Sequence, residues 1–315
     1  MLIIHHWDTD GICSAAKLIK ELKPETYTNL SPDIGDFSFS ERIREAMKDH
    51  DDVYVVDLNL PGEVKNSEKK IRFMDHHIQE RIENPLVEQV NPLVEGGDPG
   101  DFPSCSVVLS EHLSSWDLLS ALGAIGDIGL KALDDPRVRE QVDKSGLTSK
   151  QAEKIVSLID SNYLAVDLDS VEKAVSEVLE LEPRKMLDHP EWNRKLSDIE
   201  KTIEETIESR KDVGDFCYMD MTTPYNVISK LARKAVWEMG YAGALVVNRD
   251  FHGKGQTYLR INTETAERMD MASIISRLKE MGINAGGKKE VVGSVYPKER
   301  VDEVLSLLEP EIGLQ

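Results

Sequence analysis

Cysteine is scarce in this chain: Cys13, Cys105 and Cys217 are the three in 315 residues, far apart and without a CxxC pair. That excludes a disulfide scaffold and fits a reducing cytosol, so the expected location is cytoplasmic. Positive charge is also in short supply. Lys and Arg number 38 against 58 Asp and Glu, a formal net charge of −20. Bulk attraction to duplex nucleic acid needs surplus cations to displace counterions, so that mode is excluded. A local basic groove and acidic metal ligands are not. No apolar run approaches the ~18 residues of a membrane span, and Met1–His6 has no basic segment of the signal-peptide kind. No membrane partner is expected. Gly (20) and Pro (13) are too few for a collagen-like or largely disordered chain.

What is present is a globular composition with a length that suits two domains. Short apolar runs alternate with helical patterns in the first half, the signature of a parallel α/β sheet. Strands are expected at Leu2–His6, Thr26–Leu30, Val53–Val56 and Ile71–Met74. Helices are expected at Ile12–Leu22, Glu41–Met47, Ser104–Ser115 and Trp116–Leu133, with Pro136 as a breaker. From Asp134 to Lys211 the pattern is helical and highly charged. It ends in Glu191–Lys211, where Leu196, Ile199, Ile203 and Ile207 form a narrow apolar stripe. Strand signals return at Asp215–Met221, Gly243–Val247, Gln256–Ile261 and Val291–Val295, with helices at Val227–Met239, Met271–Met281 and Lys298–Leu308. The expected division is a catalytic domain over 1–165, a helical linker over 166–212 and a smaller α/β domain over 213–315.

Four segments carry acidic and imidazole side chains at or just beyond element ends: His6-Trp7-Asp8-Thr9-Asp10-Gly11, Asp57, Asp75-His76-His77 and Gly126-Asp127. A single aspartate at a strand end is explained by capping of the next helix. Four such segments in order are not. Three of them fall at carboxyl ends of strands, where open parallel sheets gather functional groups. Carboxylate with neutral imidazole suits Mn²⁺, with Mg²⁺, Co²⁺ or Zn²⁺ as substitutes. Six or more ligands exceed the needs of one ion. Two divalent ions roughly 3.5–4 Å apart and sharing a carboxylate would use them all.

These residues resemble motifs I to IV of the DHH phosphoesterase superfamily, with Asp75-His76-His77 as the namesake, over roughly residues 1–135. The C-terminal part resembles the associated DHHA1 domain. There, Tyr258-Leu259-Arg260-Ile261 sits in the place of a strand with a substrate-facing arginine. Gly286-Gly287-Lys288-Lys289-Glu290-Val291-Val292-Gly293 is similar to its GGHxxAAG loop, with Lys288 where the family has histidine. A lysine keeps the attraction for phosphate but not the geometry or titration of imidazole. The resemblance implies His6, Asp8 and Asp57 on one metal and Asp10, Asp57, His76 and Asp127 on the other. Asp57 then bridges, and His77 reaches a substrate phosphate. His6 is preferred to His5 on the His-x-Asp-x-Asp spacing of the RecJ-like branch. Arg260, Gly286, Gly287 and Lys288 are the implied substrate contacts. Ser104-Cys105-Ser106 is either an anion site at a helix start or an ordinary N-cap.

The superfamily includes RecJ-like exonucleases, nanoRNases that also act on pAp, cyclic-dinucleotide phosphodiesterases and family II pyrophosphatases. The last carry an Arg-Lys-Lys signature that is absent here. The Ala121–Gly129 segment and the opening motif look most like archaeal RecJ-like proteins, some of which work with replication or repair helicases. The resemblance therefore implies an exonuclease releasing mononucleotides from single-stranded DNA or RNA, with a helicase or other repair protein as partner. A nanoRNase, pAp phosphatase or cyclic-dinucleotide phosphodiesterase acting on short oligonucleotides is the alternative. A metal-free replication scaffold is the reading from another class, and the filled ligand positions speak against it.

Overall fold

Four buried residues in a row, Leu2–His5, have no polar face to turn toward water, so this strand needs cover on both sides. The computed structural model, which describes residues 1–36 and 38–314, supplies that cover. The chain divides into two compact units, Met1–Leu196 and Ser197–Gln315, the boundary falling inside a helix over Pro190–Glu208.

The first unit is built on five parallel strands in the order β2-β1-β3-β4-β5: β1 Leu2–His5, β2 Thr28–Leu30, β3 Val53–Val56, β4 Ile71–Met74 and β5 Val87–Val90. Alternate side chains feed two cores. Ile3, Tyr54 and Val56 meet Leu18, Leu122 and Ile125 on one face. Ile4, Val55 and Phe73 meet Ile43 and Leu58 on the other. The register is flush: His5 pairs with Val56, Val56 with Met74, and Met74 with Val90. The residues that follow, His6, Asp57 and Asp75, therefore leave the sheet at one edge. Strand order also reverses between β1 and β3, the place where open α/β sheets bind ligands.

β5 was not expected from the sequence. Val87-Glu88-Gln89-Val90 is a short edge strand with two polar residues and gives no apolar run. The helix expected over Trp116–Leu133 is Leu118–Ile128, started by an Asp117–Ser120 capping box, followed by a 3₁₀ stretch Gly129–Asp134. Helices Leu168–Glu180 and Pro183–Leu187 lie within the segment expected as linker, yet Val171, Ala174, Val175, Val178 and Met186 share the first unit's core. Their apolar spacing gave each helix a face to bury.

The second unit is a mixed six-stranded sheet in the order β10-β11-β9-β8-β7-β6: β6 Lys211–Val213, β7 Phe216–Met221, β8 Gly243–Phe251, β9 Lys254–Ile261, β10 Asn284–Lys288 and β11 Val291–Pro297. Only β7 and β8 are parallel, joined through helix Ile228–Arg233. One face packs Leu245, Leu259, Ile261 and Val292 on Ile274, Leu278, Val304 and Leu305 of helices Met271–Glu280 and Val301–Leu308. The Gly286-Gly287-Lys288 segment, expected as a loop, is strand β10 of a hairpin with β11. Glycine lowers strand propensity, and the ladder to β11 overrides it. None of the helices among the described residues is long and apolar enough to cross a membrane.

Candidate metal centre

His6 is the first residue beyond β1, and its Nδ1 lies 2.7 Å from Asp8 Oδ2 and 3.7 Å from Asp57 Oδ2. Asp8 is the N-cap of helix Thr9–Leu22, its carboxylate accepting from Gly11 N–H at 3.1 Å. A Cβ at position 11 would collide with the His6 carbonyl, so glycine is what lets this helix start against the strand end. Asp10, in the first turn of that helix, is fully buried. Its two carboxylate oxygens accept Cys105 N–H at 2.6 Å and Ser106 N–H at 3.0 Å. The anion at the start of helix Cys105–His112 is thus Asp10 itself. Ser104 is buried, its hydroxyl capping Val107 N–H and bonded to Ser106 Oγ.

Asp57 leaves β3 with φ +57°, in the left-handed region, while its N–H still bonds the Met74 carbonyl at 3.0 Å. For a side chain other than glycine that conformation costs ~1–3 kcal/mol and recurs where geometry serves a site. His76 Nε2 lies 3.4 Å from Asp57 Oδ1 and 3.3 Å from Asp127 Oδ2, the latter on the last turn of Leu118–Ile128. Asp57 therefore faces an imidazole on each side. Two ligand clusters result, His6 with Asp8 and Asp57, and Asp10 with His76 and Asp127, each with candidate atoms within 4.8 Å of one another. A third grouping joins Asp57, Asp75, His76 and His77.

The electrostatics explain what such a cluster needs. Burial, then the charges of Asp10, Asp8 and Asp127, push the Asp57 carboxyl well above the usual range. Burial and the charges of Asp10 and Asp8 do the same to Asp127. Burial raises Asp10 against the pull of His76 and Ser106. Asp8 is the exception: burial works to raise it, but the charge and hydrogen bond of His6 prevail and bring it down to about 2. Carboxylates this close repel unless protons or cations intervene. Oxygen and imidazole donors in this number fit hard to borderline divalent ions.

Sequence reasoning gave Asp75 no role of its own. It is fully buried and accepts His76 N–H at 2.7 Å, His77 N–H at 3.3 Å and Gln79 Nε2 at 2.6 Å, with its Oδ1 also 2.7 Å from His77 Nδ1. It fixes the His77 ring and the His76 backbone at once, with a proton held on His77 Nδ1. The only sequence signal is its place at a strand end before two histidines. Gly123 was also unmarked. A Cβ there would collide with Ser106 Oγ and Asp10 Oδ1. Thr9 N–H and Oγ1 both donate to Asp160 Oδ1, at 2.9 and 2.7 Å, tying the motif to helix Ser149–Leu164. His5 faces the interior, its pKa lowered to about 4 by burial.

In the second unit, Arg260 on β9, Val291 on β11 and Lys288 on β10 lie in one row of the sheet. Gly286 shares their face, and Gly287, between them, faces the other way.

Residues 1–120 match the model of the DHH family, N-terminal domain. Over those residues the chain is similar to the DHH family. No curated protein matches the sequence. Solved structures with this fold include a DHH domain described as that of a member of a family of ribosomal proteins, at 19% identity and TM-score 0.68, covering 100% of this chain and 87% of that one. An exonuclease RecJ bound to manganese aligns at 15% identity and TM-score 0.68, covering 99% and 89%. A pGpG-specific phosphodiesterase from Vibrio cholerae aligns at 12% identity and TM-score 0.58, covering 99% and 98%. At such identities the likeness of this chain to these proteins is one of fold.

Proposed function

We propose that this DHH protein is a divalent-metal-dependent phosphodiesterase, an exonuclease that releases mononucleotides from single-stranded DNA or RNA and serves beside a repair or replication helicase. The observation that carries the reading is the pair of ligand clusters on either side of Asp57. In this reading His6, Asp8 and Asp57 hold one ion, and Asp10, Asp57, His76 and Asp127 hold the other. Mn²⁺ suits the donors best, with Mg²⁺ or Co²⁺ as substitutes. Two such ions supply a water acidified to near neutrality and a clamp on phosphate oxygens.

The remaining roles fall to side chains. His77 has a ring 42% exposed, with Nδ1 held by Asp75. Burial works against its positive form, but the hydrogen bond and charge of Asp75 prevail and raise its pKa. A cationic ring can donate to a phosphoryl oxygen and stabilise charge as it develops. Arg260 and Lys288 are assigned to the substrate's other phosphates, with Gly286 and Gly287 permitting close backbone approach. Ser104 is assigned a supporting part, since its hydroxyl is spent within the fold.

A second reading, hydrolysis of dinucleotides or cyclic dinucleotides, is favoured by the net charge of −20, which gives no long-range pull on a polymer. The likeness to the pGpG-specific phosphodiesterase agrees with it. Initial rates with Mn²⁺ on a 5′-labelled long single strand, a dinucleotide and a cyclic dinucleotide separate the two. The exonuclease reading expects stepwise mononucleotide release from the long strand at the highest rate. Turnover of the dinucleotide alone overturns it, and hydrolysis of none of the three overturns both.

A further inference from the structure

Trp237 leaves 65% of its surface in water, a costly position for a large apolar ring. It stands in a π-turn, Lys234–Glu238, that continues helix Ile228–Arg233. Such one-turn insertions shift the residues after them out of helical register and recur at functional sites. Here Ala235 and Val236 stay buried while Trp237 turns outward.

The guanidinium of Arg260 lies 4.8 Å from the Trp237 ring centroid and 6.0 Å from that of Tyr258. Its Nη2 donates to the Tyr258 hydroxyl at 3.4 Å, and its buried Nε has no hydrogen-bond partner. In a chain with so large an acidic excess, this arginine is held by aromatic faces and keeps donors in hand. Beside it the sheet is bare. Tyr258, Gly293 and Gly286 form one row across β9, β11 and β10, next to the row of Arg260, Val291 and Lys288. A Cβ on Gly286 would meet nothing within 4 Å, and one on Gly293 would come no nearer than 3.6 Å to the Tyr258 ring. An exposed indole, a stacked arginine and a floor of glycine backbone together offer a flat surface with charge at its edge.

We propose that Trp237 is a nucleobase-stacking residue: the open face of its indole receives a base of the substrate, while Arg260 braces the other face and answers the attached phosphate. The inference rests on the phosphodiesterase reading and adds to it a residue that binds the base rather than the phosphate. Stacking on a single indole tolerates any base, because every base has a π-face. The site would therefore select for a nucleotide over a bare sugar phosphate without selecting sequence.

The test is equilibrium binding to the full chain in EDTA, so that no turnover is needed, with AMP, ribose 5-phosphate and inorganic phosphate as probes. Wild-type protein should bind AMP more tightly than ribose 5-phosphate, with quenching of tryptophan emission. Trp237→Ala should weaken AMP about five- to a hundredfold, the range that stacking supplies, and leave ribose 5-phosphate within about twofold. Trp237→Phe should recover most of the AMP affinity. Equal AMP affinity in the alanine variant overturns the proposal and leaves the indole to some other contact, such as a protein partner. Equal losses for AMP and ribose 5-phosphate also overturn it, because Trp237 would then act only by holding Arg260. These outcomes are independent of hydrolysis: base stacking without turnover of any oligonucleotide removes the phosphodiesterase reading, and turnover without base stacking removes this one.

Discussion

At Asp57 a strained backbone meets a crowded carboxylate. Its left-handed φ aims the side chain at His6 on one side and His76 on the other. Relief of so much repulsion by cations makes the residue the most sensitive in the cluster. Asp57→Ala is expected to reduce turnover below about a tenth of wild type, a loss of at least ~1.4 kcal/mol of barrier stabilisation. It should also remove the Mn²⁺-dependent rise in melting temperature, which a ligand specific for the folded state produces. Melting curves with and without Mn²⁺ check this, and the apoprotein should fold as well as or better than wild type because one repelling charge is gone. His77→Ala is expected to behave differently. Elemental analysis should find both metals retained while the rate falls, because the proposed role of His77 is contact with a substrate phosphate and not with a metal. Loss of a full metal equivalent would make His77 a ligand.

Helices deliver as much of the centre as strands do. Helix Cys105–His112 spends its first N–H groups on Asp10, and helix Leu118–Ile128 passes so close that position 123 admits no side chain. Gly123→Ala is expected to destabilise the protein by ~1–3 kcal/mol through overpacking and to weaken Mn²⁺ binding as Asp10 yields. Urea unfolding and calorimetric titration read the two effects. The same helix is anchored at its start, where Asp117 caps Ser120 N–H and pairs with the buried Lys17 at 3.2 Å and with Lys20 at 2.8 Å. Burial alone would raise the Asp117 pKa, but Lys20 and Lys17 hold it below the usual range. A depressed carboxylate stabilises fully above its unfolded pKa of about 4 and loses that contribution as pH falls through the lower folded value. Asp117→Asn keeps a capping side chain and deletes the charge. Its melting temperature should lie below wild type at pH 7, with the gap closing as the pH falls below about 4.

For the molecule as a whole, the net charge of −20 sets the terms on which any polyanion is bound. Attraction must be local, and Lys288, exposed on β10 in the row of the sheet that also holds Arg260, is a place for it. Lys288→Ala should raise KM more than it lowers kcat on a single-stranded oligonucleotide, with a penalty that shrinks as salt rises. Lys288→His should recover part of the binding and introduce a pH dependence between roughly 6 and 7. Steady-state kinetics at two salt concentrations measure both. Unchanged KM in the alanine variant would remove Lys288 from the substrate contacts.

The alternation of strands and helices, the acidic and imidazole residues at their ends, and through these the likeness of the first 120 residues to the DHH family, are all legible in the order of amino acids. Periodicity and composition are local properties, and the apolar runs Leu2–His5, Val53–Val56 and Ile71–Met74 announce themselves. What those ends do together is a matter of packing. The flush register of β1, β3 and β4 sets His6, Asp57 and Asp75 on one edge, and pairing between distant segments is invisible in any one of them. The turn of Asp57 into positive φ, the grip of Cys105 and Ser106 N–H on Asp10, and the role of Asp75 in orienting two histidines depend on backbone direction. The edge strands β5 and β6 and the glycine strand β10 lack apolar runs of their own. They form because a neighbouring strand offers unpaired N–H and carbonyl groups, a demand that exists only once the neighbour is folded.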